Sequence, residues 1–383
     1  MKYPDLRDAA AIVGIGLAGI GEAPGFTHLD LIGRAVSRAL DDAGLLLSDI
    51  DALYAANMVD MFPTLVVGDY LGIHPAHAVG TNTGGNVFVD HAISAAAALQ
   101  SSLCDVALIC YGSNQRSAAL PIMPAGTPPY EMIHKPREPI SSYAMAAARH
   151  MHQYGTTRHD LAMAAVAARQ WARLNPVAFA RSPLTADEVL SSRMICDPLS
   201  LLDCCLVTDG AGAVIMTRPD RARHLAKAPV HFLGGRTAAS HYQIGQMPDL
   251  TTTKAAETGP AALRMARVKV EDVNLLQLYD AFTINVVMFL EDLGFCPKGE
   301  GGRFIGDGRI APEGSLPVNT NGGGLSCVQP GMYGIFTLIE AVEQLRGDAG
   351  DRQVAGANVA LCHGNGGLLA AQSTVVLGTA ATV

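Results

Sequence analysis

Two polar, glycine-dense turns hold the residue types that could cradle a polar ligand: Val79–Gly85 (VGTNTGG) and Val318–Gly324 (VNTNGGG). Each leads towards a helical segment, and each is followed by a matching strand, Asp105–Leu108 (DVAL) and Asn358–Leu361 (NVAL). The repetition predicts an internal duplication, with the two turns facing each other across a shared site. Eight cysteines supply thiols: Cys104, Cys110, Cys196, Cys204, Cys205, Cys296, Cys327 and Cys362. No two of them form a C-x-x-C pair, so neither a zinc ribbon nor a thioredoxin-type site is indicated. Residues 14–19 (GIGLAG) match the G-x-G-x-x-G dinucleotide fingerprint. That reading is rejected, because Glu22-Ala-Pro-Gly25 follows directly and no helix N-terminus can start there to hold a pyrophosphate. His150 and His152, two apart, would diverge on a helix and read as a solvated face. No metal is expected.

Strands and helices must position these groups. Ala9–Gly16 reads as a buried strand ending in a glycine turn. Leu29–Ala43 is an amphipathic helix stopped by Gly44. Ile50–Ala56 (strand), Thr64–Leu71 (helix), Asn86–Leu103 (alanine-rich helix) and Asp105–Tyr111 (strand) follow. Pro121–Pro139 is an irregular excursion, too long for an ordinary connection and a candidate active-site or subunit-contact loop. Helices at Ser142–Tyr154 and Arg158–Leu174, the latter capped by Asp160, precede a strand at Gly210–Thr217. The second half repeats the order: a strand near Pro229 followed by a turn, helix Thr258–Arg267, strand Asn274–Leu278 and helix Phe282–Leu293. A loop at Lys298–Gly302, helix Ile335–Leu345, strand Val359–Cys362 and strand Leu368–Leu377 complete it. Right-handed crossovers make this an α/β protein of two stacked halves with mixed, mostly parallel sheets. The expected halves are residues 1–222, with a loop and helical insertion at about 115–200, and residues 223–383.

Composition narrows the function classes. Hydrophobic residues make up 49% of the chain and charged ones 16%, so much surface is expected to be buried between halves or subunits. A net charge of −8 argues against nucleic acid, whose binding draws on clustered Lys and Arg. It leaves room for a nucleotide-tailed small molecule held by a local basic patch. No long uninterrupted apolar run predicts a membrane span. The start, MKYPDLRDAAAIVG, does not read as a signal peptide. The expectation is a cytoplasmic protein with reduced thiols.

Five ordered motifs carry a resemblance over nearly the whole chain. They are Leu201–Ala213 (LLDCCLVTDGAGA), Tyr279–Thr283 (YDAFT), Leu290–Cys296 (LEDLGFC), Pro317–Gly323 (PVNTNGG) and Cys362–Gly367 (CHGNGG). Together they resemble the thiolase superfamily, in its sterol-carrier-protein-X or lipid-transfer-type branch. The resemblance implies a duplicated five-layer αβαβα fold with two mixed sheets, usually dimeric. It also implies a chemistry. A cysteine at the N-terminus of the helix after the first turn attacks the acyl thioester, its thiol activated by the helix dipole and a nearby His. A His in Gly-His-Pro assists, and a second cysteine in Cys-x-Gly-x-Gly moves protons at the α-carbon, while donors hold the oxyanion.

Carried over position by position, the motif residues depart from that scheme. The nucleophile position falls at Gly84 or Gly85, which carry no side chain. The Gly-His-Pro position reads Val328-Gln329-Pro330, a neutral amide that donates to a thioester carbonyl but is no base. Tyr279 stands where an oxyanion donor or imidazole is usual, followed by Asp280 and Phe282. Cys362 matches the proton-transfer cysteine, with His363 beside it as a base or CoA contact. Cys327 is a candidate replacement acid/base. Tyr242 and His241 lie where the family builds its acyl-CoA pocket, with Tyr242 a candidate for catalysis. Asn321 and Gly323 shape the second turn. Cys362, His363 and Tyr279 each also have a structural reading, as buried filler or a satisfied polar cap.

The resulting expectation is an enzyme on acyl-CoA thioesters that makes or breaks the carbon–carbon bond next to the thioester. Retro-aldol chemistry through an enolate fits the surviving parts, because it needs no covalent acyl-cysteine. The alternatives are an acetyl-CoA acyltransferase using a relocated cysteine, Cys327 or Cys362, and a silent acyl-CoA-binding subunit. Coenzyme A is expected only as part of the substrate. The resemblance further implies a homodimer and a small OB-fold or zinc-ribbon partner.

Overall fold

The computed structural model describes residues 5–119 and 130–383. The first part of the Pro121–Pro139 excursion lies outside the described residues; beyond it, Met132–His134 forms a single 3₁₀ turn. The strands are β1 (Ala11–Gly21), β2 (Ala52–Ala55), β3 (His77–Val79), β4 (Val106–Ser113), β5 (Met194–Cys196), β6 (Leu199–Ser200), β7 (Asp209–Thr217), β8 (Val230–Ala239), β9 (Leu275–Leu278), β10 (Val359–Gly366) and β11 (Ala371–Gly378). The helices of the first half are α1 (His28–Ala43), α2 (Pro63–Leu71), α3 (Val87–Gln100), α4 (Ile140–Tyr154), α5 (Arg158–Leu174), α6 (Ala186–Ser191) and α7 (Pro219–Ala222). Those of the second are α8 (Ala255–Ala266), α9 (Thr283–Asp292), α10 (Gly301–Gly306), α11 (Gly323–Ser326) and α12 (Gly334–Arg346).

Strand order shows the duplication directly. One sheet runs β3-β2-β4-β7-β1 and the other β8-β11-β10-β9, with Val318 pairing parallel to Leu276 on the far side of β9 as β3 pairs with β2. The two are joined at the β1–β8 edge by Ala11↔His231 and Ile12↔Val230, so hydrogen bonding continues through nine strands. α1 and α2 cover one outer face, α8 and α9 the other, and α3 and α12 each touch both sheets as the middle layer. This is the five-layer αβαβα arrangement. Strands β7, β10 and β11 are buried along their whole length, which explains why they read as unbroken apolar runs rather than alternating ones.

Several boundaries differ from expectation for physical reasons. β1 continues through the glycines that suggested a turn. A Cβ on Gly14 would stand 2.2 Å from the Ala39 carbonyl oxygen, and one on Gly16 2.1 Å from that of Ala35. Glycine there lets α1 lie directly on the strand, so neither fingerprint nor turn is present. The glycines of β8 repeat the device, Gly234 lying against the Ala262 carbonyl at 2.5 Å from a would-be Cβ. The expected loop at Lys298–Gly302 already contains the start of α10. α5 begins where expected, but Thr157 is its N-cap and Asp160 the reciprocal third-position partner.

The solvated face assigned to His150 is corrected by the structure. Its imidazole is fully buried, with Nδ1 2.9 Å from Thr156 Oγ1 and Nε2 3.0 Å from the Glu291 carboxylate on α9. Lys298 reaches both Glu291 and Asp292. Buried charge survives here because it is paired and hydrogen-bonded. Among the described residues no helix is long and apolar enough to cross a membrane.

Candidate active site

The first turn delivers Gly84 and Gly85 to the start of α3, and β9 delivers Tyr279 from the other half. The Tyr279 backbone N–H donates to the His363 carbonyl at 3.0 Å, tying the end of β9 to β10. A Cβ built on Gly85 would lie 2.1 Å from Tyr279 Cε2 and 2.6 Å from both Cζ and Oη. The phenol therefore occupies the volume that a side chain at Gly85 would need. Gly84, with φ +93°, backs onto the Gly366–Gly367 backbone, where no side chain fits either. The carbonyl of Gly85 meets Gly334, the first residue of α12, at 2.1 Å from a would-be Cβ. Both helix starts and the end of β9 thus converge on one point.

Around that point lies a polar cluster. Tyr279 Oη donates to the Gly331 carbonyl at 3.3 Å and accepts from Gln329 Nε2 at 3.2 Å. Both contacts are long, so the phenol proton is only weakly engaged. Desolvation holds the phenol well above its usual range, and it stays a neutral donor. Gln329 is anchored by Thr208, which accepts from its backbone N–H at 2.9 Å. Its amide Oε1 is buried without a hydrogen-bond partner, an acceptor left over in a site whose donors are otherwise placed. Tyr111 braces the same loop, donating to the Pro330 carbonyl and accepting from Met332 N–H at 3.1 Å.

Beneath the cluster, Asp280 is fully buried and accepts from the backbone N–H groups of Gly324 at 2.6 Å and Leu325 at 3.3 Å. Burial pushes its pKa up to about 7 despite those donors. A Cβ on Gly323 would strike this carboxylate at 2.0 Å, which explains the glycine at that position. Asn321 Oδ1 accepts from Gly323 N–H at 2.7 Å and from Tyr333 Oη at 2.9 Å. Asp280, Asn321 and Gly323 therefore shape the second turn. Phe282 stacks near Tyr143, ring centroids 4.5 Å apart, and its N–H is capped by Asn285 Oδ1.

The other expected residues are not brought to Tyr279. Cys362 is fully buried, its thiol donates to the Thr337 carbonyl at 3.4 Å, and burial raises its pKa well above the thiol range. That is the environment of an inert core cysteine rather than an exposed proton carrier. His363 projects from the opposite face of β10, as alternation along a strand requires. It lies 2.9 Å from both Thr374 Oγ1 and Gln372 Oε1, and burial lowers its pKa to about 3. It is a neutral, satisfied histidine with no path to a substrate. Cys327 is buried beside Asn175, its thiol held far from ionisation. His241 closes the rim by bridging Ser240 and the Leu368 carbonyl, while Tyr242 is exposed.

Three residues belong to the site without having been singled out. Tyr143, from α4, donates to the Gly367 carbonyl at 3.1 Å and accepts from Asn365 Nδ2 at 2.7 Å. Tyr333 meets Tyr279 edge-on at 5.8 Å. Cys205 is partly exposed, and its backbone N–H donates to the Ala281 carbonyl at 2.8 Å. Only Cys205 had a local signal, since it lies within one of the ordered motifs.

A duplicated αβαβα scaffold whose helix starts and β9 converge on one buried phenol is the architecture of a thiolase-like protein, and the relatives agree. Residues 236–379 match the family described as Thiolase C-terminal domain-like. The chain is 34% identical to an acetyl-CoA acetyltransferase of Methanothermobacter thermautotrophicus, over 94% of this chain and 97% of that protein. It is also 34% identical to the 17-hydroxy-3-oxo-4-pregnene-20-carboxyl-CoA lyase of Mycobacterium tuberculosis, over 89% and 92%. Among solved structures, the Ltp2-ChsH2(DUF35) aldolase superposes with a TM-score of 0.90 at 31% identity, covering 98% of both chains. The chain belongs to the thiolase superfamily. Within it, the chain falls in the sterol-carrier-protein-X or lipid-transfer-type branch.

Proposed function

We propose that the chain makes or breaks the carbon–carbon bond next to an acyl-CoA thioester by retro-aldol chemistry, without a covalent acyl-cysteine. The observation that carries this reading is the exclusion at Gly85: no side chain is present to form an acyl-enzyme, and the Tyr279 phenol fills its place. A neutral phenol at that point donates to the thioester oxygen as negative charge builds there, the role that a preorganised donor plays best in a dry site. Gln329 supplies the second donor through its amide, swapping its long bond to Tyr279 for the substrate.

The lyase and aldolase relatives support this direction, and the acetyltransferase relative supports the substrate class. The chain is proposed to work in the cytoplasm as a homodimer. The unpaired edge of β3 and the exposed apolar residues Met58, Val59, Met61, Phe62 and Leu65 nearby favour such an interface. A small OB-fold or zinc-ribbon partner is proposed by analogy with the Ltp2-ChsH2(DUF35) aldolase.

The test uses the full chain with a β-hydroxyacyl-CoA, following release of a ketone or aldehyde and a shortened acyl-CoA by mass spectrometry. Cleavage without any acylated residue is the expected result. A stable acetyl-cysteine after incubation with acetyl-CoA would sink the proposal in favour of acyl transfer. CoA-ester binding with no turnover would make the chain a silent subunit.

A further inference from the structure

Enolate chemistry needs a group to deliver a proton to the substrate α-carbon, and the family position for it, Cys362, is sealed in the core. We infer that Cys205 is that group, a catalytic thiol beside the second turn; this rests on the retro-aldol reading above.

The placement is set by backbone. Cys205 N–H donates to the Ala281 carbonyl at 2.8 Å, two residues past Tyr279, and the next residue, Leu206, donates to the Gly324 carbonyl at 2.9 Å. Cys204 forms a bridge with Phe282. A Cβ on Gly324 would sit 3.7 Å from the Cys205 Cβ and 3.1 Å from Asp280 Oδ1, so Cys205 and Asp280 both border the second turn at this glycine. The amide of Gln329 reaches the Tyr279 phenol and also the Cys205 thiol. The unpartnered Oε1 of that amide, on a side chain more than nine-tenths buried, marks the same place as one built to receive a ligand donor.

Position separates this thiol from its competitors. Cys327 and Cys362 are buried, Cys362 donating to a backbone carbonyl; Cys204 donates to the Ser200 carbonyl at 3.3 Å. Cys205 alone combines partial exposure with contact to the phenol's own partner. Burial first, and then the neighbouring Cys204 and Asp280, raise the thiol's pKa well above its usual range, so it rests protonated, as a proton donor must be.

The step balances. When the bond between the α-carbon and the carbinol carbon breaks, its electron pair becomes the thioester enolate, held by Tyr279. The Cys205 S–H bond then breaks and its proton forms the new C–H bond at the α-carbon. The proton lost from the β-hydroxyl is carried by water to the thiolate. One proton moves from substrate oxygen to substrate carbon, and nothing is oxidised or reduced.

Propionyl-CoA, a simple product-like thioester, provides the probe. In alkaline deuterated water, where a fraction of the Cys205 thiol ionises and its thiolate can take an α-hydrogen, the full chain is expected to exchange the α-hydrogens of propionyl-CoA, faster as pD rises, read by mass spectrometry. Cys205→Ala is expected to slow this at least a hundredfold, while propionyl-CoA binding by calorimetry stays within about threefold of wild type. Cys205→Ser, nearly isosteric, should retain binding and lose exchange. Wild-type exchange that survives Cys205→Ala overturns the assignment and leaves the retro-aldol reading standing. Absence of exchange in a wild-type chain that binds propionyl-CoA removes the enolate reading and this assignment with it.

Discussion

Substituting Gly85 by alanine isolates the contact on which the functional reading depends. The new Cβ would lie 2.1 Å from Tyr279 Cε2, whereas carbon atoms in ordinary contact stand about 3.5–4.0 Å apart. The phenol must therefore retreat by more than an ångström. It has little freedom to do so, being buried, packed edge-on by Tyr333 and held through Oη at Gly331 and Gln329. Overpacking of this kind costs about 1–3 kcal/mol. Gly85 has no left-handed backbone conformation, so the penalty is steric and not a matter of φ. In a Tyr279→Ala background the obstacle is gone, and Gly85→Ala should be neutral or stabilise by about 0.4–1 kcal/mol through the unfolded chain. Urea unfolding of wild type, both single variants and the double variant measures the coupling, expected at about 1–3 kcal/mol. An equal effect of Gly85→Ala in both backgrounds would refute the reasoning, because the phenol would then not fill that volume.

Other perturbations test the rest of the site. Tyr279→Phe keeps the ring and removes the donor, so folding should change by less than about 1 kcal/mol. Cleavage of a β-hydroxyacyl-CoA should meanwhile lose on the order of 3 kcal/mol of transition-state stabilisation, seen in kcat. Asp280 carries a pKa raised from 3.8 to about 7, so between those pH values the folded state binds more protons than the unfolded one. Stability should fall as pH rises through that window, by about 1.4 kcal/mol per pH unit from this group. Asp280→Asn should flatten that slope in denaturant titrations between pH 4 and 7 (window from the same shift), and an unchanged slope would show that the carboxyl is not held protonated. His150→Ala opens a cavity and leaves Glu291 short of a partner, costing about 3–5 kcal/mol. A loss below 1 kcal/mol would mean that the pair is solvated (threshold as for exposed pairs, about 0–1 kcal/mol).

Much of the scaffold was legible in the residues. The paired glycine turns, the DVAL and NVAL echoes and the helices at 28–43 and 158–174 are local patterns, and local patterns carry their own physics. The glycines of β1 misled because the reason for them lies elsewhere in the chain, in α1 carbonyls that no window around Gly14 contains. His150 misled in the same way: its spacing to His152 describes a helix face, but Glu291 on α9 decides what that face meets. Within the site, the absence of any side chain at residues 84 and 85 was readable from the sequence. That Tyr279 fills the space was not, since the two turns meet only after both halves fold. Cys205 lay in a recognised motif, but its place in the site is set by backbone bonds from Cys205 to Ala281 and from Leu206 to Gly324, partners far away in the chain. Cys362 and His363 were placed by motif position, and burial on the two faces of β10 separates them from the phenol.

The mutual exclusion of the Tyr279 ring and a side chain at residue 85 also constrains history. A site with both a nucleophilic cysteine and this phenol would have to seat two groups 2.1 Å apart. Neither reaction can then be reached from the other by adding the new group while keeping the old. On this backbone, a chain that gains a side chain at residue 85 must first lose the Tyr279 ring or move the loops that hold it. A side chain at 85 and the phenol are alternatives for the same few cubic ångströms.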